Sequence, residues 1–116
     1  MLIHLTRLRP GHPPLAEIRT PYGPAVAAWR GDPAAPPGPH HVEWTIDEAR
    51  ATARPAPRPA PAVRTEGGLL LLTGEFDGAG VLRTGDTPIL LDLPAPPGWI
   101  ELAVPCAHAE LHPYRT

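Results

Sequence analysis

The chain has 116 residues, a formal net charge of −2, 19 prolines and a single cysteine, and it contains no lysine, serine, asparagine or glutamine. That composition excludes a serine nucleophile, a P-loop or Schiff-base lysine and the bidentate Asn or Gln contact to adenine. It leaves arginine, carboxylates, histidine, threonine, tyrosine and the backbone to carry any polar chemistry.

The skew is that of a very GC-rich, bacterial-type gene, and the length fits one domain spanning residues 1–116. Charge is split along the chain. Residues 1–65 hold eight arginines against five acids, and residues 66–116 hold two against seven. With Cys106 alone there is no intramolecular disulfide and no four-sulfur zinc site within one chain. A reducing, cytoplasmic setting is expected. The start places Arg7 and Arg9 after its short apolar run, unlike a signal peptide, and no stretch approaches the ~18 apolar residues of a membrane span.

Proline is too evenly scattered for helices of ordinary length, because each interior proline removes a donor and clashes with the preceding turn. Met1–Arg9 reads as a strand leading into Pro10–Gly11, and Pro24–Trp29, bounded by Gly31-Asp32-Pro33, as a second short one. His41–Asp47 alternates cleanly, with Val42, Trp44 and Ile46 inward and His41, Glu43, Thr45 and Asp47 outward. Residues 49–65, ARATARPAPRPAPAVRT, are almost wholly alanine, proline and arginine and read as a solvated polyproline-like loop. After Gly67–Gly68 a meander is expected: Leu69–Phe76, a turn at Asp77–Gly80, Val81–Thr84, a tight turn at Gly85–Asp86, then Thr87–Leu93. Trp99–Val104 and a last strand from about Cys106 to Tyr114 close the chain. Seven or eight short strands with little or no helix predict an all-β domain, either a small closed or partly open antiparallel barrel or a β-sandwich.

From His41 to Tyr114 the order of strand, long loop, three-stranded meander and two closing strands resembles the oligonucleotide/oligosaccharide-binding (OB) fold, with Gly74 suited to a barrel bend. The resemblance implies ligand contact on the middle strands and in the loops between the first and second and the fourth and fifth strands. The 49–65 loop takes the first of those places and brings Arg50, Arg54, Arg58 and Arg64 to the rim.

Guanidinium forks on an extended scaffold suit an oxyanion or an acidic protein surface, so these four, with Arg7 and Arg9, are the expected partner-binding residues. The same loop also reads as a solvated spacer produced by compositional drift. Cys106, His108, Glu110 and His112 recur at every second position, and on a strand they share one face. Zinc on His108, Glu110 and His112 would need a further ligand such as His41 or His4, because alternate strand residues span too far for one tetrahedral ion. The ordinary solvent face of a terminal strand gives the same pattern. Cys106 lacks the electropositive setting of a catalytic thiol.

The sequence therefore predicts a non-enzymatic binding module, with a protein partner first, single-stranded nucleic acid as the alternative and zinc binding as a distant third. No cofactor and no membrane partner are implied, and a monomer or weak homodimer is expected.

Overall fold

Strand-forming runs punctuated by Gly, Pro and Asp give a structure made almost wholly of short extended segments. The computed structural model describes residues 1–114. In chain order its strands are β1 Leu2–Arg9, β2 Leu15–Thr20, β3 Gly23–Trp29, β4 Gly38–Ile46, β5 Thr52–Pro55 and β6 Ala62–Glu66. They continue with β7 Leu69–Phe76, β8 Val81–Thr84, β9 Thr87–Leu90, β10 Gly98–Pro105 and β11 Ala109–Pro113. The only helical backbone among the described residues is a pair of three-residue 3₁₀ turns, Glu48–Arg50 and Cys106–His108.

Five strands close into a barrel in the order β1-β2-β3-β11-β4, with β4 returning to β1. Every pair in it is antiparallel except β3 with β11. The other six form a second sheet, β5-β10-β7-β8-β9, with β6 paired to β7. The all-β class and the closed barrel agree with the sequence. A barrel of this size is compatible with an OB-like one, but it is built from other residues than expected. Its strands come from the first 46 residues plus β11, whereas the meander β7-β8-β9 belongs to the second sheet. The second sheet is inserted between two neighbouring barrel strands, β4 and β11.

Three local expectations are corrected by the structure. Segment 49–65 is not one solvated loop: it contributes β5 and β6 to the second sheet, and only residues 49–51 before β5 and 56–61 between the two lie outside strands. Strand β2 was hidden by the prolines bracketing it, although Ala16 and Ile18 alternate inward on it. The last strand begins three residues late, because Cys106–His108 turns as a 3₁₀ helix after Pro105.

One apolar cluster runs through both parts. It joins Ile3, Leu5, Ile18, Val42, Trp44 and Leu111 of the barrel to Leu70, Leu72, Leu82, Ile89, Ile100 and Leu102 of the sheet. Strand β6 seams them: Val63 N donates to Tyr22 O at 3.1 Å, and Val26 N to Thr65 Oγ1 at 2.8 Å. Gly23 makes the approach possible, since a Cβ there would lie 2.3 Å from Val63 O. At Gly74 a Cβ would lie 2.4 Å from Arg83 O, so this glycine lets β7 pass close to β8; β7 belongs to the second sheet, so Gly74 does not serve the bend of a barrel strand that its place in the sequence suggested.

Candidate functional site

The arginines expected to meet a partner are scattered and largely occupied. Arg7 and Arg9 on β1 both reach Glu17 on β2, at 2.8 and 3.0 Å, and Arg50 lies 3.7 Å from Asp47. The hydrogen bond from Arg9, with the Arg7 charge beside it, holds the Glu17 carboxyl below the usual carboxylate range. Arg54 and Arg64 turn to one carboxylate, Glu101 on β10, which is 2 % exposed. Arg54 Nε donates to Glu101 Oε1 at 2.7 Å, and Arg64 donates to Glu101 Oε2 at 3.3 Å and also pairs with Glu66. Because β7 lies between β6 and β10, the Arg64 side chain must cross β7 to reach Glu101. It does so beside Leu71 and Thr73, which are buried although they face away from the core. This is a guanidinium stem covering apolar surface while its head stays wet. Of the six arginines, only Arg58, between β5 and β6, has no acidic partner among the described residues.

The alternation from Cys106 to His112 does not survive as one face. The 3₁₀ turn tucks Cys106 into the core, where burial pushes its thiol pKa up, and aims His108 at Asp47, with Nδ1 3.5 Å from Oδ2. Glu110 pairs with Arg30, and His112 Nε2 stands 3.5 Å from Glu110 Oε1. Among the described residues no three His, Cys, Asp or Glu side chains are grouped to hold one ion.

What the structure does bring together lies at the junction of barrel and sheet. Two hollows of about 560 and 610 Å³ share Met1, Thr87, Pro88 and Tyr114 and so form one continuous groove. The first runs along β4 from Val42 to Ile46, with Glu48 at its end and Pro88 and Leu90 of β9 opposite. The second continues past Leu2, Tyr22, His41 and Asp86. Leu90 is 77 % exposed, Leu2 50 % and Tyr114 46 %, and these are three of the four large hydrophobic side chains left exposed among the described residues.

Hydrogen-bond phase explains why main chain is open here. Asp47 N donates to His108 O and Tyr114 N to His41 O, so the odd-numbered residues of β4 turn their main-chain groups to β11. The even-numbered residues turn theirs the other way, and Val42 exchanges both bonds with Met1, each 2.9 Å. Trp44 and Ile46 lie past the last β1 partner, so their N–H and C=O groups face the groove. Across from them, Leu91 N donates to Gly80 O, which turns the main-chain groups of Pro88 and Leu90 to the free edge of β9. The Trp44 side chain itself turns into the core: it is 5 % exposed, and its buried Nε1 has no hydrogen-bond partner among the described residues. Buried indole N–H groups normally find one.

The sequence placed Trp44 in the core and Thr87 in a strand but had no means of bringing them to one hollow, since that depends on how the inserted sheet folds back. The one local signal was Leu90, an apolar residue beside the buried Ile89 on a strand too short to cover both faces. No family model, curated protein or solved structure matches the chain.

Proposed function

We propose that this chain is a non-enzymatic interaction module that receives a protein partner on the groove between β4 and β9. The observation that carries the proposal is the concentration of Leu2, Leu90 and Tyr114 around one groove, while elsewhere among the described residues a single large hydrophobic, Leu69, is left exposed. Gathered apolar exposure marks interaction sites, whereas single exposed residues do not. Aromatic and aliphatic anchors at the centre of a patch dominate protein association, with charges at its rim. Glu43, Glu48 and Asp86 supply such a rim. The partner-binding role moves from the arginines to this face because five of the six already engage carboxylates of the same chain.

The test is site-specific photo-crosslinking in cells, with the photoreactive residue placed at position 90 or, for comparison, at position 58 in the arginine–proline connection. Specific adducts at 90, competed by unlabelled protein and lost with Tyr114→Arg, are expected. Adducts at 58 with none at 90 would return the function to the arginines. Retention of a single-stranded oligonucleotide that falls steeply with salt would replace the proposal with nucleic-acid binding.

A further inference from the structure

We infer that the outer face of the second sheet around Trp99 binds a second copy of this chain, each copy laying its proline-pinned segment Ala56–Pro61 beside the Trp99 of the other. This face shares no lining residue with the groove proposed above and stands without it. Ile100, Leu102 and Val104 of β10 turn into the core, so Trp99 turns out, and it belongs neither to the apolar cluster nor to the half-buried hydrophobics packed against it. It stands between two hollows. One, of about 290 Å³, is walled by Pro55, Pro94, Pro96 and Pro97. The other, of about 400 Å³, holds Glu75 and Asp77 together with Arg83. An indole set among rigid proline rings is the kind of surface that receives a proline-rich stretch of chain.

The same chain carries the matching segment. Because β10 and β7 lie between β5 and β6, residues 56–61 must cross both strands, and they do so on the outer face, the inner one being filled by Leu72, Ile100 and Leu102. Ala56 N donates to Trp99 O at 3.1 Å where the crossing starts, and Pro57, Arg58, Pro59 and Ala60 are exposed along it. Prolines at 57, 59 and 61 fix φ, so little freedom is lost on docking. Among the described residues Arg58 pairs with no acid and Glu75 with no base, although Arg83 stands opposite Glu75 across β7 and β8. The hollow thus sets two carboxylates against one guanidinium, and Arg58 of a second copy supplies the missing charge. Segment and receiving surface adjoin on one face, so a two-fold axis near Trp99 makes both contacts at once and closes the pair without recruiting further copies. Tryptophan and arginine are the residue types that dominate such contacts, while so small a patch keeps the dimer weak.

The experiment is sedimentation velocity on the full chain from about 10 µM to about 1 mM, with Arg58→Glu, Glu75→Arg and Trp99→Ala as variants. Wild type should pass from monomer to dimer over that range, and each variant alone should associate at least about tenfold more weakly. An equimolar mixture of Arg58→Glu with Glu75→Arg should dimerise like wild type, because only the mixed pair sets opposite charges at both contacts. A photo-adduct formed at position 58 should have twice the mass of the chain, which tells it from an adduct with a foreign partner. Wild type that stays monomeric throughout, or Arg58→Glu that dimerises as wild type does, overturns the proposal. A mixture no more associated than its components does so too when both variants give the wild-type circular dichroism. Should Glu75→Arg fail to fold, Arg58→Glu decides alone, since its site is an exposed connection outside the strands.

Discussion

The barrel and the inserted sheet solve the same problem by different means. Each barrel strand has a ladder neighbour on either side, so closure itself removes the edges except along the end of β4, where Trp44 and Ile46 lie past the last β1 partner. In the sheet β5, β6 and β9 have one ladder partner each, and each is handled by chemistry. Strand β6 is docked on β3, β5 is four residues long and held by the Arg54–Glu101 pair, and β9 carries Pro88. Between the two systems, the groove is the opening that gathers exposed apolar side chains. Edges managed by topology need no special residues, whereas edges managed by side chains leave a surface whose composition can select a partner.

The largest effects should come from testing whether the two parts are one folding unit. Leu5 in the barrel and Leu102 in the sheet are both fully buried in one cluster. Truncating either to alanine should destabilise by about 2–5 kcal/mol. Urea unfolding followed by circular dichroism and by tryptophan fluorescence should give one coincident transition in each variant. Separate transitions would divide the molecule into barrel and insertion.

Next comes the close approach of β7 to β8 at Gly74. Gly74→Ala sets a methyl against Arg83 O, where the opposing atom is backbone and has little room to yield. Overpacking of this kind destabilises by roughly 1–3 kcal/mol. The loss should fall on the β7–β8–β9 end, visible as faster amide exchange at Leu82 and Ile89 than at Ile3 and Leu5. Uniform acceleration would mean that Gly74 does not act locally.

A smaller effect is expected where the sheet is sealed. Glu101→Gln keeps the shape but removes the charge gripped by Arg54 and Arg64. Charge-assisted hydrogen bonds to a buried acceptor contribute roughly 1–3 kcal/mol, and the exposed arginine heads push this toward the low end. Thermal unfolding in low and high salt separates the causes: the wild-type advantage should shrink as salt rises, and an advantage indifferent to salt would show that packing of the arginine stems is what matters.

How far the sequence spoke follows from the same contrast. Elements defined by local chemistry were legible: Val42, Trp44 and Ile46 alternate inward, and the Gly85–Asp86 turn follows from a glycine at φ +63° joining β8 and β9. Which strands make the barrel was not, because β11 returns after a 62-residue insertion and no local pattern announces that β3 lies beside it. The arginine–proline run misled in a specific way. Its alanines and prolines look unable to bury anything, yet Val63 enters the core and Arg64 crosses β7 to a carboxylate more than thirty residues away in sequence. Composition could not reveal that Glu101 was waiting there, since a glutamate at an alternate strand position normally faces water. The groove was invisible for the same reason: its open main chain is a matter of hydrogen-bond phase between strands.

The smallest effect concerns acid stability, and it singles out one turn of the sheet. Asp77 Oδ1 accepts hydrogen bonds from the main-chain N–H groups of Ala79, Gly80 and Val81, between 2.7 and 3.0 Å. These bonds, that from Val81 first, hold its pKa below the ordinary aspartate value of about 4. A depressed carboxylate stabilises the fold fully above the unfolded-state value, and its contribution is lost as pH falls through the folded-state value. Asp77→Ala should therefore be less stable than wild type at neutral pH, and the gap should close as pH drops below about 4. Denaturant midpoints of both proteins between pH 7 and pH 2 give the measurement. A gap that stays constant across that range would mean that the side chain serves the β7–β8 turn through packing or backbone preference, and the charge of Asp77 would then play no part in holding the sheet to its shape.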